Sequence, residues 1–247
     1  MDALDDPARA ERLRALIVKK AALRRFYLEA YGKYAACLRR CPREGLALEL
    51  GSGAGFVKEL LPEVITSDAL PYPGIDRIVD ARAMPFEDRS LRAIFLLNVF
   101  HHVPDVAAFF REVERCLVRG GRLLIIDQCR GWISTPILRF AHHEPFDPNA
   151  AEWAFESRGP LSGANGALAW IVFERDRPRF ETLFPSLRVA RVERHSPLRY
   201  WLAGGLKPWT LLPGWAFPLA TRADDLLVRL SPRLASFTDI ELVRSAS

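Results

Sequence analysis

Acidic side chains and a pair of histidines stand where successive apolar runs of this chain end, and these residue types suit the binding of a cationic, ribose-bearing ligand. Glu49 closes the run 46–50, two residues before the turn Gly51-Ser52-Gly53-Ala54-Gly55. Glycine belongs where a backbone turns sharply or where a ligand must approach with no side chain between. A strand, a glycine turn and a helix in series open a nucleotide-binding α/β unit, whose ligand sits beyond the strand's carboxyl end. The dinucleotide fingerprint wants glycine or alanine where Phe56 stands, which argues against NAD. A carboxylate at Glu49 would repel a pyrophosphate and suits a cation.

The second run, 64–67, ends at Asp68. An acid there can accept hydrogen bonds from both hydroxyls of a ribose; the alternative is a turn-forming Asp ahead of Pro71 and Pro73. A short third run, 77–79, ends at Asp80. The run 91–97, apolar except for Arg92, ends in Asn98-Val99-Phe100-His101-His102-Val103-Pro104. Imidazole titrates near neutrality, so His102 or His101 is a candidate general base; the alternative is that the histidines support the turn.

The segment Glu49-Leu50-Gly51-Ser52-Gly53-Ala54-Gly55 resembles the first motif of class I S-adenosylmethionine-dependent methyltransferases, of the type 11-like group, and the resemblance runs on through Asp127. It implies an α/β, Rossmann-like, seven-stranded, mostly parallel sheet whose last strand is antiparallel, with N-terminal helices lying over the cofactor site. It implies S-adenosylmethionine as cofactor, held by Glu49, Gly51, Ser52, Gly53, Asp68, Ala69, Asp80 and Ala81, with Asn98 near the sulfonium. Asp80 would face the adenine amino group and the Ala81 amide a ring nitrogen. Family members carry a similar histidine pair at the mouth of the cofactor pocket. Two departures are informative. Asn98-Val99-Phe100-His101 is not the Asx/Ser-Pro-Pro-aromatic motif of enzymes that methylate base amino groups, so an exocyclic nucleobase amine is not expected as acceptor. Arg119 replaces a usual proline, which should affect only a turn.

The elements that must position these groups fit one domain in 247 residues: a helical segment 1–44 covering the site, an α/β core 45–127, and a remainder 128–247 with acceptor-side insertions at about 128–160 and 195–232. Helical spacing of Leu13, Leu16, Ile17, Leu23, Phe26, Tyr27, Ala30, Tyr31 and Tyr34 predicts one or two helices over 7–40. Their aromatic stripe is either core or a contact to cofactor and acceptor. Further helices are expected over 55–61 and 105–118, and around Trp170 to Phe180; strands over 123–127, 187–193 and 237–243; and a turn or helix start over 162–166. The segment 197–232 reads as a long, aromatic loop with three competing roles: an acceptor pocket folded over the site, a membrane-interface contact, or packing on the sheet or a dimer partner.

Composition narrows the rest. No run of eighteen uncharged apolar residues exists, and the N-terminus carries acids and arginines unlike a secretory signal. Cys37, Cys41, Cys116 and Cys129 show no paired CxxC spacing and read as reduced, so a cytoplasmic location is expected, with peripheral contact at the inner membrane face as an option. Between Arg9 and Arg43 there are eleven Lys or Arg against Glu11 and Glu29, either a solvated helix face or a surface for polyanions. No metal is expected at His142-His143-Glu144, because adjacent histidines point apart on regular structure and no spaced ligand set follows. The reading is a methyltransferase for a small or lipid- or sugar-linked acceptor, at oxygen. Base candidates are, in order, His102, His101, His143 and His142. A second reading is an RNA or protein methyltransferase using the basic stretch, though nucleic acid is not the expected partner. A third is a cofactor-binding partner protein without catalysis. The sequence carries no clue to oligomeric state.

Overall fold

The computed structural model describes residues 8–157, 159 and 163–245, so residues 1–7 of the N-terminal segment and Ser162 of the expected turn lie outside the described residues. Seven strands form one sheet: β1 (Leu46–Leu50), β2 (Val64–Asp68), β3 (Arg77–Ile78), β4 (Leu91–Leu97), β5 (Leu117–Gln128), β6 (Leu187–His195) and β7 (Phe237–Arg244). Their order is β3-β2-β1-β4-β5-β7-β6. β1 to β5 pair in parallel, and β7 runs antiparallel to both β5 and β6. The strand order reverses between β1 and β4, and a crevice for a ligand opens at their carboxyl ends. The helices are α1 (Ala8–Lys19), α2 (Ala21–Leu38), α3 (Val106–Cys116), α4 (Ser134–Phe140), α5 (Leu168–Trp170), α6 (Arg177–Leu183), α7 (Arg199–Leu202) and α8 (Phe217–Leu230).

The two-residue period of a strand sorts the apolar residues onto two faces. Leu48, Leu50, Ile94, Leu96, Leu123 and Ile125 face Phe109, Phe110 and Val113 of α3. Ala47, Ala93, Phe95, Leu97, Leu124 and Ile126 face Phe26, Tyr31 and Tyr34 of α2, where the Tyr34 ring stacks on Phe95 at 4.2 Å. Burial of each large apolar side chain stabilises the fold by roughly 1.5–3 kcal/mol, so α2 is held by the sheet rather than by its own helix propensity. The Asp105 carboxylate starts α3 by accepting from the Ala108 amide at 2.9 Å.

Three expectations are corrected. The helix expected over 55–61 does not form; a single 3₁₀ turn, Val57–Glu59, takes its place. The glycine turn consumes the first residues of the crossover and Pro62 follows, leaving too few for an α-helix. Phe56 instead packs against Tyr27 and Tyr31 of α2, at ring separations of 5.9 and 5.2 Å. The fifth strand starts at Leu117 rather than at 123, because it pairs with Leu91, bulges out through Gly120 at φ +74°, and rejoins β4 at Arg122. The segment 197–232 is not a loop: it folds into α7, a 3₁₀ turn and α8. Asp224 of α8 is fully buried and accepts from the Leu198 and Arg199 amides at 2.8 and 3.2 Å, pinning the two helices together.

Part of the basic N-terminal face is spent on partners within the fold. Lys20 donates to the Gly205 and Lys207 carbonyls, Arg24 pairs with Glu59 at 3.0 Å, Lys33 with Asp239 at 2.6 Å and Arg40 with Glu241 at 2.6 Å. The four cysteines are free thiols. Among the described residues no helix is long and apolar enough to cross a membrane.

The glycine turn rests on α2 through one buried hydrogen bond, from the Phe56 amide to the Tyr31 hydroxyl at 3.0 Å. Tyr31→Phe leaves that amide without its acceptor, so urea denaturation is expected to show a loss of about 1–3 kcal/mol. A variant as stable as the parent would show that this bond does not support the turn.

Candidate functional site

The carboxyl ends of β1, β2, β4 and β5 open into a cavity of about 830 Å³. That lies toward the upper end of the roughly 300–1,000 Å³ of ligand pockets. One end is built from Glu49, the glycine turn, Asp68, Ala69, Asp80, Ala81 and Asn98, all expected from sequence, together with Gln128. The other end is lined by Ile137 of α4, by Ala141 just after it, and by Tyr200, Trp201, Leu206 and Trp209. The aromatic stripe of α2 divides: Tyr27 and Tyr31 line the cavity, whereas Phe26 and Tyr34 belong to the core.

Steric limits fix the turn. Gly51 lies at φ +68°, and a Cβ there would meet the Val99 side chain at 2.4 Å. A Cβ on Gly55 would lie 2.7 Å from the Tyr31 hydroxyl. Ser52 and Ser67 stitch the turn to β2: the Ser67 amide donates to the Ser52 hydroxyl at 3.1 Å and the Ser67 hydroxyl to the Glu49 carbonyl at 2.8 Å. With only a 3₁₀ turn behind the glycines, no α-helix directs its positive N-terminus at the ligand, which removes the usual anchor for a phosphate.

The charge of the site favours a cation instead. Glu49 is 3% exposed, and its Oε2 has no hydrogen-bond partner among the described residues. Burial, with the Asp68 carboxylate nearby, outweighs the pull of the Ser52 and Tyr34 hydroxyls and raises its pKa to about 7. Asn98 Oδ1 and Gln128 Oε1 are likewise buried acceptors without a partner. Asn98 sits at φ +55°, a strained backbone for a residue other than glycine. Three buried acceptors around one crevice fit a ligand bearing a protonated amine and a sulfonium, as S-adenosylmethionine does.

Asp68 holds the turn with both oxygens, accepting from the Gly53 amide at 3.0 Å and the Leu70 amide at 3.1 Å. A carboxylate has about four lone-pair positions, so acceptor capacity for a ribose diol is left over. Asp80 is more committed. Its two oxygens take the Arg82 guanidinium at 3.0 and 2.7 Å, and the Arg82 amide at 2.9 Å.

At the acceptor end the structure gathers groups far apart in sequence. His101 is 2% exposed, and its Nδ1 lies 2.6 Å from Asp127 Oδ1. His101 Nε2 and His102 Nε2 lie 3.3 and 3.4 Å from the two carboxylate oxygens of Glu144. His142 and His143 approach the same carboxylate at 3.5 and 3.6 Å. Burial opposes a charge on His101, but Asp127 and Glu144 outweigh it and raise its pKa to about 10. The reciprocal attraction of the histidines, against the cost of burial, holds Glu144 well below the usual carboxylate range. The two acids thus favour the charged form of His101, and His102, which lines the cavity, is the better placed of the two for proton transfer. The premise that adjacent histidines point apart does not hold here. His101 and His102 lie on a 3₁₀ turn with ring centroids 4.3 Å apart, and His142 and His143 follow α4 at 4.8 Å.

Gln128 was missed from sequence, although its place at the end of β5 is a usable signal. Tyr200 and Lys207 were missed because nothing local ties them to the crevice.

Because Glu49 binds a proton more tightly in the folded chain (about 7 against an ordinary 4.5), the unliganded fold is expected to lose stability as pH rises from 4.5 through 7. Urea unfolding of Glu49→Gln, compared with the parent across that window, checks this: the variant should lack the added slope, and equal slopes would remove Glu49 as its source.

Residues 48–125 match the family model of the methyltransferase domain. The demethylmenaquinone methyltransferase of Roseiflexus castenholzii is 34% identical over 119 residues, 41% of this chain and 49% of that protein. The chloroplastic tocopherol O-methyltransferase of Arabidopsis thaliana is 28% identical over 67 residues, 27% of this chain and 19% of that protein. The chain thus spans about half the length of the first relative and about a fifth of the second. The structure of geranyl diphosphate C-methyltransferase from Streptomyces coelicolor, solved with Mg2+, geranyl diphosphate and S-adenosyl-L-homocysteine, superposes with a TM-score of 0.53 at 16% identity, covering 98% of this chain and 89% of that one. From the sheet order and the superposition, the chain has the fold of class I S-adenosylmethionine-dependent methyltransferases, and residues 48–125 within it are similar to their methyltransferase domain.

Proposed function

We propose that this protein transfers the methyl group of S-adenosylmethionine to a small acceptor with an apolar, lipid-like part, at a hydroxyl oxygen. The observation that carries the reading is the buried Glu49 carboxylate, one oxygen of which has no hydrogen-bond partner among the described residues, beside a glycine turn at one end of a cavity whose other end is aromatic and aliphatic. Bound there, the cofactor supplies an electrophilic methyl on a sulfonium. Glu49 takes its amine end, Asp68 its ribose, Asp80 and the Ala81 amide its adenine, and Asn98 lies toward the sulfonium. The protein's part is to align the acceptor oxygen in line with the methyl carbon and to exclude water. As the oxygen–methyl bond forms and the carbon–sulfur bond breaks, the hydroxyl proton passes to the cluster around His102 and Glu144.

The apolar acceptor is supported by the rim of the cavity. Ile137 and Ala141 line it while Phe140, on the helix of Ile137, is 86% exposed, and Trp209 lines it while Leu211 and Trp215 are 72% and 76% exposed. Exposed aromatic and aliphatic groups flanked by Lys207 suit a membrane interface, from which a lipid-linked acceptor would enter. The two relatives are named for demethylmenaquinone and for tocopherol. An RNA acceptor is less supported, because Lys20, Arg24, Lys33 and Arg40 of the basic stretch have partners within the fold.

Calorimetry is expected to give micromolar-range binding of S-adenosylmethionine and S-adenosylhomocysteine, weakened at least tenfold, about 1.4 kcal/mol, by Asp68→Ala. A folded protein that binds neither removes the reading. With binding established, labelled methyl transfer to prenylated hydroquinones in mixed micelles should exceed transfer to RNA or protein, and Trp209→Ala with Trp215→Ala should lower recovery of the protein on anionic vesicles. Transfer to RNA alone would overturn the acceptor class.

A further inference from the structure

We propose that His101, His102 and Glu144 form a binding site for a divalent transition-metal ion, zinc by ligand type, at the acceptor end of the cavity. Two imidazoles and one carboxylate form a common three-ligand set for such ions, leaving a fourth position for water or a substrate oxygen. The candidate ligand atoms all lie within 4.8 Å of one another. With metal–ligand bonds of about 2.1 Å, the edges of a tetrahedral site are roughly 3.4 Å. The separations from Glu144 to His101 Nε2 and His102 Nε2, 3.3 and 3.4 Å, already match.

The groups behind the ligands point the same way. A metal-bound histidine usually directs its other ring nitrogen at a carboxylate or a backbone carbonyl, which fixes the ring and its tautomer. His101 Nδ1 faces Asp127 Oδ1 at 2.6 Å, and His102 Nδ1 faces the Gly163 carbonyl at 3.1 Å. Both histidines therefore have Nδ1 occupied and turn Nε2 toward the one shared carboxylate. Asp127 is further fixed, accepting the His101 and Gln128 amides at 3.1 and 2.7 Å. His142 and His143 share Glu144 and form a second set, but His142 Nδ1 accepts the Glu144 amide at 3.3 Å and His143 is half exposed. The first set is the better built.

His101, His102 and Glu144 line the same cavity as the cofactor residues, so the open position faces the acceptor. This placement deepens the proposed function and rests on it: an ion there would hold the acceptor oxygen and lower its pKa, and with the two Nε2 atoms as ligands the hydroxyl proton would pass to solvent in place of the histidine cluster. Metal binding itself does not depend on that reading.

The test is zinc binding by the full chain after chelation and reloading, measured by elemental analysis and competition titration. One ion per chain is expected. His102→Ala and Glu144→Gln should each abolish stoichiometric loading. Asp127→Asn should weaken affinity by roughly 10–100-fold, and Co2+ should give the visible absorption of a tetrahedral site. Binding of S-adenosylhomocysteine by the same samples, with thermal unfolding, controls for folding. A folded wild type that takes up no zinc, or a His102→Ala variant that binds it as the wild type does, overturns the proposal. Loss in His143→Ala with retention in His102→Ala does so too, by moving the ion to the other set. Absent zinc with intact S-adenosylhomocysteine binding sinks the metal site alone; absent S-adenosylhomocysteine binding sinks the methyltransferase reading and leaves the zinc result to stand by itself.

Discussion

A carboxylate enclosed by protein with one oxygen unpaired is costly, and the rest of the site is arranged around that of Glu49. Its oxygen lies at the carboxyl end of β1, above a turn in which Gly51 and Gly55 admit no side chain, with Asp68 as a second acid close enough to raise its pKa. Burial without a donor is a debt the fold carries until a cation arrives. The missing helix behind the turn fits the same logic, since a helix N-terminus would favour an anion where the acids favour a cation. The aromatic cluster of Tyr27, Tyr31 and Phe56 occupies that flank and ties the turn to α2.

The acceptor end works by convergence. Asp127 at the end of β5 fixes His101, the turn after β4 supplies His102, and the chain after α4 brings Glu144 between them. Charges of opposite sign at short range and low exposure pin each other, so the cluster is rigid in a way that surface ion pairs are not. It can share a proton or hold an ion, and the two differ in whether Nε2 carries hydrogen or metal.

The second half of the chain has two tasks that its composition blends. Phe217 and Asp224 anchor α8 against the domain, while Leu219, Leu226 and Leu230 remain exposed on its outer side. Trp201 packs inward with its indole N–H on the Ser236 hydroxyl at 2.8 Å, whereas Trp215 faces outward. The aromatic content of the segment therefore serves core, cavity wall and surface together.

The sequence by itself determined the frame of the cofactor end. Strand periodicity, the glycine spacing and acids at strand ends are local signals, and local backbone geometry places Glu49, Asp68, Asp80 and Asn98 at one crevice once the sheet forms. It did not determine how residues 55–61 would be held once too short for a helix, since Phe56 there rests on Tyr27 and Tyr31 of α2, distant in sequence. Nor did it determine the structure of 197–232, where the buried Asp224 has to find two amides 25 and 26 residues away. The meeting of His101 and His102 with Glu144 was equally hidden. His142 and His143 looked divergent on regular structure, and only the tertiary fold, which carries the chain after α4 to the turn after β4, decided that both pairs face one carboxylate.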